Sequence, residues 1–349
     1  MSTFYPLTVS DIRPTGSKAV CISFDLPNHL KESFAFIPGQ YLTLKAQIGG
    51  REFRRAYSIC SSPKSGVLSI GVKAVDKGVF SIYANQQLKA GDTLDVMPPE
   101  GRFTLRTHSD NQNNYIGFAA GSGITPILSI LKAVLEDEPK STFTLVYGNR
   151  SPQEAMFSSE ISGLKQLYAD RFTVASIFSK TREEDALFGR IDRANVNFLL
   201  KNKLPFDRYD KYFLCGPESM IETVKELLQE KGVKQEDILF ELFTSSQQPE
   251  EFATQGDEVE VTIVLDDDTE TFRMDKQSSI LQAALDHGIE APYSCQGGIC
   301  STCIARLTEG TAEMRKNQIL TDAEVAEGFI LTCQAHPTSN AIKVDYDDI

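Results

Sequence analysis

The sequence predicts a multidomain protein, in which an antiparallel β-barrel, an α/β domain with a parallel sheet and a small α+β domain follow one another. Three observations support this fold class. Short strand-like runs fill the first hundred residues, strands alternate with helices from about residue 114, and four of the seven cysteines fall in the last 55 residues. A chain of 349 residues has room for two to three domains.

The barrel is predicted over residues 1–107. Several of its strand-like runs alternate apolar with polar residues, and turns such as Ile37-Pro38-Gly39 and Ala90-Gly91-Asp92 separate them. The runs cover residues 20–26, 41–48, 55–60, 67–75 and 93–97. Short strands at regular spacing are typical of a small closed barrel or a sandwich.

The α/β domain is predicted over residues 108–245. Its strands are expected at residues 115–120, 143–147, 172–178, 212–215 and 238–243, and its helices at 126–135, 153–168 and 218–230. This alternation indicates βαβ units around a parallel sheet. Residues 115–135 carry a single charge, Lys132, and are long enough to span a bilayer, but the glycines at their centre favour a strand, a turn and a helix instead.

A polar stretch follows, and residues 246–257 are predicted to form an interdomain linker. The last domain is predicted over residues 258–349, with a strand at 258–265, a turn at 266–268 and a helix at 280–287.

The charge is unevenly distributed along the chain. The net charge is −13, yet residues 1–107 hold 13 basic and 8 acidic residues, whereas residues 258–349 hold 6 basic and 17 acidic ones. An acidic chain binds polyanions poorly, so nucleic acid is not expected as a partner. The acidic last domain suits docking onto a basic protein surface, although acidity also serves solubility alone. An odd number of cysteines without a signal peptide predicts a reducing, cytoplasmic location away from membranes.

The clustered cysteines indicate an iron–sulfur site. Cys295, Cys300 and Cys303 have the spacing C-x4-C-x2-C, and Cys333 follows 30 residues later. This is the pattern of plant-type [2Fe–2S] ferredoxins, in which one loop supplies three thiolates and a distant strand supplies the fourth. Gly297 and Gly298 would let the backbone approach the sulfides. Structural zinc, the alternative, usually shows two closely spaced cysteine pairs.

A second motif joins a predicted strand to a predicted helix. Gly121-Ser122-Gly123-Ile124-Thr125-Pro126 has glycines that permit close approach to a pyrophosphate, and it precedes a helix N-terminus with its partial positive charge. The pattern is G-x-G-x-x-P and therefore not the usual dinucleotide fingerprint. Plain helix capping would also explain Pro126.

Together with these motifs, Arg55-Ala56-Tyr57-Ser58 and Cys215-Gly216-Pro217 carry a resemblance to the ferredoxin–NADP reductase family with a C-terminal, β-grasp-like [2Fe–2S] ferredoxin domain. The chain resembles in particular the reductase subunits of bacterial phenylacetyl-CoA epoxidases, which share the segments R-x-Y-S-I-C, A-A-G-S-G-I-T-P, Y-G-N-R and C-G-P.

The resemblance implies an FAD site in the barrel, although the sequence alone leaves FMN open. In the family, the matching arginine pairs with the flavin pyrophosphate, the tyrosine packs on the isoalloxazine and the serine lies near N5. A G-x-x-S segment, here residues 78–81, also contacts the pyrophosphate, although an ordinary hairpin would use a glycine at such a turn as well. The implied flavin residues are Arg55, Ala56, Tyr57, Ser58, Val72, Lys73, Gly78, Val79, Phe80 and Ser81.

The resemblance also implies a nicotinamide site. Residues that match the family there are Gly121, Gly123, Thr125, Pro126, Arg150, Ser179, Lys180, Cys215, Gly216 and Pro217. The basic and hydroxyl groups among them favour NADPH, with NADH left open. Ser58, Cys215 and Glu241 are the residues implied at the reacting atoms. Cys215 would position rather than attack, and an ordinary buried cysteine is the alternative.

The implied activity is electron transfer from NADPH through FAD and the [2Fe–2S] cluster to an oxygenase component, a partner protein. A nicotinamide gives up two electrons as hydride, a [2Fe–2S] cluster takes one at a time, and a flavin does both. Two alternatives stay open on the sequence alone. One is a reductase for a different oxygenase or hydroxylase, and the other is a non-enzymatic [2Fe–2S] carrier or redox sensor.

Overall fold

The computed structural model describes residues 3–204, 209–243 and 258–349. Within them the chain forms two compact units, one built mainly from residues 5–243 and the other from the C-terminal residues. The predicted linker 246–257 lies outside the described residues. The predicted boundary between the barrel and the α/β domain falls inside the first unit and stays a prediction.

The N-terminal part of the first unit is a six-stranded antiparallel sheet. Its order is β4-β3-β6-β1-β2-β5, so β4 and β5 are the edges. Just after β4, Ile59 forms a bridge with Ile70 of β5, which brings the two edges together as a barrel requires. The strands are β1 (Tyr5–Gly16), β2 (Ala19–Asp25), β3 (Tyr41–Ile48), β4 (Arg51–Ser58), β5 (Leu68–Lys73) and β6 (Thr93–Val96).

One helix in this region was missed by the sequence analysis. Helix α1 (Val79–Gln86) follows β5, and Gly78 is its N-cap rather than part of a hairpin turn. A hairpin turn, the alternative explanation for this glycine, is therefore excluded. The helix forms because Phe80, Ser81 and Ala84 pack into the barrel core, although Val79, Phe80 and Ile82 are weak helix formers.

The second half of the unit is a parallel sheet with the order β10-β9-β8-β7-β11-β12. The chain moves outward from β7 to β10 and then returns to the other side of β7, so a topological switch point lies between β7 and β11. The strands are β7 (Asn114–Ala120), β8 (Thr142–Asn149), β9 (Phe172–Phe178), β10 (Leu187–Phe188), β11 (Lys211–Cys215) and β12 (Ile238–Glu241).

Four helices accompany this sheet: α2 (Ile124–Asp137), α3 (Ser158–Leu167), α4 (Arg193–Asn202) and α5 (Glu218–Glu230). The strand–turn–helix interpretation of residues 115–135 is confirmed. In the described parts of the chain, no helix is long and apolar enough to cross a membrane. The single helix expected at 153–168 is wrong, because Phe157 adopts φ +58° and the α-helix begins only after it.

The C-terminal unit has a five-stranded mixed sheet of order β14-β13-β19-β15-β17 and a separate β16-β18 pair. The predicted turn after β13 is confirmed, with Asp266 and Asp267 both at positive φ. Asp347 accepts hydrogen bonds from both backbone amides. The elements are β13 (Glu258–Leu265), β14 (Asp268–Asp275), α6 (Ile280–Asp286), β15 (Ile304–Glu309), β16 (Ala312–Met314), α7 (Asp322–Ala326), β17 (Phe329–Leu331), β18 (Ala335–Pro337) and β19 (Ala341–Asp345).

Candidate redox sites

Three residues from distant parts of the sequence meet at the carboxyl ends of the parallel strands β11 and β12. Ser58 ends strand β4 of the barrel and its buried hydroxyl donates a hydrogen bond to Oε2 of Glu241, at 3.1 Å. Glu241 ends β12 and pairs with Cys215 at the end of β11. Burial, together with the nearby Glu241 charge, raises the pKa of Cys215 well above its usual range. The Cys215 thiol is therefore neutral, which agrees with a positioning role rather than a nucleophilic one.

The glycine loop lies directly against this corner. It follows β7, whose Ala119 pairs with Cys215. A Cβ placed on Gly123 would lie 2.1 Å from the Cys215 carbonyl oxygen and 2.9 Å from the Gly216 nitrogen. A Cβ on Gly216 would lie 2.8 Å from Cε of Met220 and 3.0 Å from Cβ of Ala120, so these side chains would have to move. The two predicted nicotinamide motifs are thus in backbone contact, and this contact explains the glycine at position 123.

Positive charge is available at the open side of the loop. Gly121 has φ +56°, and a Cβ there would meet only Nζ of Lys73, at 3.6 Å. Burial lowers the pKa of Lys73, while Glu154 opposes this shift and Arg150 adds to it. A half-buried lysine beside partly exposed loop backbone suits an anionic pyrophosphate. Lys73, predicted for the flavin, therefore faces the nucleotide loop.

The flavin candidates surround the end of β4 and the start of α1. The rings of Tyr57 and Phe80 lie 5.4 Å apart at a tilt of 34°. The Ser81 hydroxyl donates to the Gly78 carbonyl and accepts from the Val75 amide, so it secures the first turn of α1. Buried Val72 lies on β5, exposed Val79 opens α1, and Ala56 and Arg55 lie on β4. The N-terminus of α1 presents the partial positive charge that suits a pyrophosphate.

The candidate ribose-binding residues lie at the ends of neighbouring parallel strands. Arg150 follows β8, and Ser179 and Lys180 follow β9. Backbone hydrogen bonds join the two segments, from Ser179 to the Asn149 carbonyl and from Lys180 to the Arg150 carbonyl. Arg150 also approaches Glu154, with Nε 3.6 Å from Oε1. Basic groups are thus available at this edge. Thr125 and Pro126, in contrast, belong to the first turn of α2 and are buried.

The four cluster cysteines form two pairs. Cys295 lies close enough to Cys300, and Cys303 close enough to Cys333, for one cysteine of each pair to shift the pKa of the other. The interaction with Cys300, and then the amides of Gly297 and Ile299, lower the pKa of Cys295 to about 7. Two pairs fit a cluster of two irons with two thiolates each. Across the described residues, no three His, Cys, Asp or Glu side chains converge as ligands of a single metal ion.

The surroundings of the cysteines also fit a cluster. The hydroxyl of Ser294, next to Cys295, is buried and has no hydrogen-bond partner among the described residues, so a sulfur acceptor would satisfy it. Gly298 has φ +69°, and a Cβ there would lie 2.7 Å from the Lys316 carbonyl. Glycine at this position therefore lets the cysteine loop fold closely enough to surround a cluster.

Two residues near the glycine loop were missed by the sequence analysis. The Tyr147 hydroxyl donates to the carbonyls of Gly121 and Met156, at 3.2 Å each, and so fixes the loop to β8. Neither polar atom of the Asn149 side chain, two residues further along the strand, has a partner within the described structure, although both are buried. The Y-G-N-R strand end was the available signal, and only its arginine was selected.

Fold and sites together define a flavin- and iron–sulfur-containing, nicotinamide-dependent reductase. Three family models match in chain order: an oxidoreductase FAD-binding domain over residues 6–105, an oxidoreductase NAD-binding domain over 118–226, and a 2Fe-2S iron-sulfur cluster binding domain over 263–338. The cofactors are accordingly FAD, a nicotinamide nucleotide and [2Fe–2S], which resolves the choice between FAD and FMN.

Full-length relatives refine this class. The chain is 40% identical to a subunit of the 1,2-phenylacetyl-CoA epoxidase from Escherichia coli K12, over 99% of both chains. It is 30% identical to the ferredoxin reductase component of 3-ketosteroid-9-alpha-monooxygenase from Rhodococcus rhodochrous, over 97% of this chain and 96% of the relative. The chain therefore belongs to the family of oxygenase reductase components that includes this phenylacetyl-CoA epoxidase protein. It is an oxidoreductase that transfers electrons to an oxygenase component.

Solved structures agree on the fold. Phthalate dioxygenase reductase matches with a TM-score of 0.61 and 22% identity, over 98% of both chains. An intact type IV self-sufficient cytochrome P450 monooxygenase matches with a TM-score of 0.70 and 19% identity, over 98% of this chain and 41% of that one. The predicted multidomain fold class is confirmed.

Proposed function

We propose that the chain passes electrons from NADPH to the oxygenase component of a phenylacetyl-CoA epoxidase in the cytoplasm. We infer this acceptor from the phenylacetyl-CoA epoxidase relative, to which the chain is 40% identical across all three domains. The 3-ketosteroid relative supports the second candidate, a reductase for another oxygenase.

The hydrogen bond from Ser58 to Glu241 carries the proposed chemistry, because it joins a flavin-binding strand to the nicotinamide side of the sheet. A bound flavin accepts hydride and passes electrons singly to a [2Fe–2S] cluster. Ser58 and Glu241 place a hydroxyl and a carboxylate where the two ring systems would meet. Cys215 shapes the other wall, and its neutral thiol adds no charge there.

The roles of the remaining residues follow from their positions. Lys73 and the Gly121–Gly123 turn would hold the nicotinamide pyrophosphate, while Arg150, Ser179 and Lys180 would hold the adenosine 2′-phosphate. Tyr57 and the start of α1 would hold the flavin. Cys295, Cys300, Cys303 and Cys333 would be the cluster ligands, with residues 246–257 as the linker to the cluster domain.

An anaerobic titration with NADPH and, separately, NADH tests the internal transfer. Flavin and cluster absorbance should fall together, at lower concentrations of NADPH than of NADH. The Arg150→Ala variant should raise the KM for NADPH and leave that for NADH nearly unchanged, because only NADPH carries the 2′-phosphate. A cluster that stays oxidised while the flavin is reduced would contradict the relay.

Reconstitution tests the acceptor. The reductase is mixed with the oxygenase component of a phenylacetyl-CoA epoxidase or, as a control, with that of a 3-ketosteroid 9α-monooxygenase. We expect NADPH-dependent product only in the first mixture. Turnover only in the second would select the other candidate, and an absence of NADPH oxidation even with an artificial acceptor would select the carrier or sensor.

A further inference from the structure

Helix α2 contacts both candidate cofactor segments of the first unit. Its N-terminus carries the Gly121–Gly123 turn of the nicotinamide site. Further along, its side chains reach residues 60–62, which begin two residues after the flavin-site residue Ser58. A single rigid element therefore connects the two places between which hydride must pass.

The contacts with residues 60–62 are made by one face of the helix. Ser129, Lys132 and Glu136 are three and four residues apart, so they lie above one another. The Ser129 hydroxyl donates to the Ser61 carbonyl at 2.7 Å, and Lys132 Nζ donates to the Cys60 carbonyl at 2.8 Å. The Ser62 hydroxyl donates to the Glu136 carboxylate. Each of the three residues 60–62 thus has its own hydrogen bond to α2.

The bonds that Ser129 and Lys132 make are shielded from water, whereas Glu136 is exposed. Ser129 is 0% exposed, Ser62 is 1% exposed, and the side chain of Lys132 is 13% exposed. A shielded charge of this kind needs a partner, and Glu160 of α3 provides it, with Oε1 2.6 Å from Lys132 Nζ. Lys132 therefore joins α2, α3 and the segment after β4 at one point.

The N-terminal end of α2 is held separately. A Cβ on Gly71 of β5 would lie 2.5 Å from Cγ2 of Thr125, so the barrel strand and the helix are in close contact there. The barrel also donates backbone bonds to, and accepts them from, the segment before α3, between Ser17 and Gln153 and between Phe157 and Thr15. The orientation of the two sheets thus does not depend on Lys132 alone, and its replacement should leave the fold intact.

We infer that Lys132 is a positioning residue for hydride transfer, which sets the flavin segment against the nicotinamide loop through the Cys60 carbonyl. This inference rests on the proposed function. Hydride transfer needs reacting atoms about 3–3.5 Å apart, and a displacement of about 1 Å costs on the order of 100-fold in rate. Loss of one anchor at a segment that stays otherwise bonded should cause a smaller shift and roughly a tenfold loss.

The test is anaerobic stopped-flow reduction of the FAD-loaded full chain by NADPH. Lys132→Met keeps the length of the side chain and removes its charge and donor. We expect a limiting rate of flavin reduction about tenfold lower, an unchanged flavin content, an NADPH dissociation constant within about twofold, and weaker long-wavelength charge-transfer absorbance between nicotinamide and flavin. A merely structural role would not move that absorbance.

Three further variants make the result interpretable. Lys132→Arg can reach both the carbonyl and Glu160, and it should restore rate and absorbance. Lys165→Met removes an exposed lysine from the same α3 that carries Glu160 and should behave as wild type. Ser129→Ala removes only the bond to Ser61 and should show a smaller effect in the same direction. If Lys132→Met does not fold, Ser129→Ala is used as the test variant in its place.

The inference is overturned if Lys132→Met, or Ser129→Ala in its place, leaves either the limiting rate or the charge-transfer absorbance unchanged. It is also overturned if the whole loss lies in the NADPH dissociation constant. A wild-type flavin that NADPH does not reduce would instead refute the proposed function, so the two failures are distinguishable.

Discussion

Gly123 gives the sharpest test of how the nicotinamide loop is built. Its backbone has φ −60° and ψ −7°, a conformation that any residue adopts. Glycine is therefore needed there only for space, since a Cβ would lie 2.1 Å from the Cys215 oxygen and 2.4 Å from its carbonyl carbon. Ordinary contacts begin near 3.4 Å, so the two backbones must separate by roughly 1 Å.

The expected cost of Gly123→Ala follows from that separation. Overpacking of this kind destabilises by about 1–3 kcal/mol. The displaced segment holds Cys215, so the limiting rate of flavin reduction by NADPH should fall on the order of 100-fold. Urea denaturation followed by circular dichroism measures the first effect, and anaerobic stopped-flow spectroscopy measures the second.

Two other glycines serve as controls. Gly163 is in the interior of α3 with open space around it, so Gly163→Ala should stabilise the protein by about 0.5–1 kcal/mol. Gly121 has φ +56° with no close neighbour, so Gly121→Ala should cost about 1 kcal/mol from backbone strain. The steric reasoning is refuted if Gly123→Ala is as stable and as active as wild type, or is affected less than Gly121→Ala.

Three further predictions concern the groups around the same corner. Ser58→Ala should lower the free energy of unfolding by about 1–2 kcal/mol, because the buried Glu241 carboxylate loses a donor; an unchanged urea midpoint would contradict this. Because burial lowers the pKa of Lys73, its charge is present below that pKa and lost above it. NADPH affinity measured by equilibrium titration should therefore weaken as the pH rises through the pKa of Lys73. Lys73→Gln should flatten this pH dependence of affinity. An equally steep pH profile in the variant would exclude a role of the Lys73 charge in NADPH binding. The neutral Cys215 thiol should resist iodoacetamide at pH 8 in the folded protein and react after denaturation, as peptide mass spectrometry would show; rapid labelling of the native protein would count against a buried thiol.

The features that the sequence predicted well are those determined by local chemistry. The spacing of Cys295, Cys300 and Cys303 within one loop requires no knowledge of the rest of the chain. The strand, glycine turn and helix around Gly121 were predictable because apolar runs flank the glycines. The turn at Asp266 was predictable from its run of aspartates between strand-like segments.

The features that were missed depend on tertiary contacts. Helix α1 contains weak helix formers and exists because Phe80 and Ala84 are buried in the barrel. Helix α4 was not anticipated at all, since half of its residues are polar and its N-cap, Asp192, resembles any loop aspartate. The break at Phe157 reflects bonds from its amide to Thr15, which is 142 residues away. The Ser58–Glu241 bond spans 183 residues, so no spacing rule could indicate it.

The order of strands in the parallel sheet has a consequence for engineering. The glycine loop follows β7 and Cys215 ends the neighbouring β11, whereas Arg150 follows β8 and Lys180 follows β9 on the opposite side. Neighbouring strands are about 4.8 Å apart, so the segment after β9 starts roughly 10 Å from β7. The residues that would select the coenzyme are thus separate from those that would orient its reactive ring. Exchanging the segments after β8 and β9 should convert a chain of this family between NADPH and NADH without rebuilding the corner where hydride is transferred.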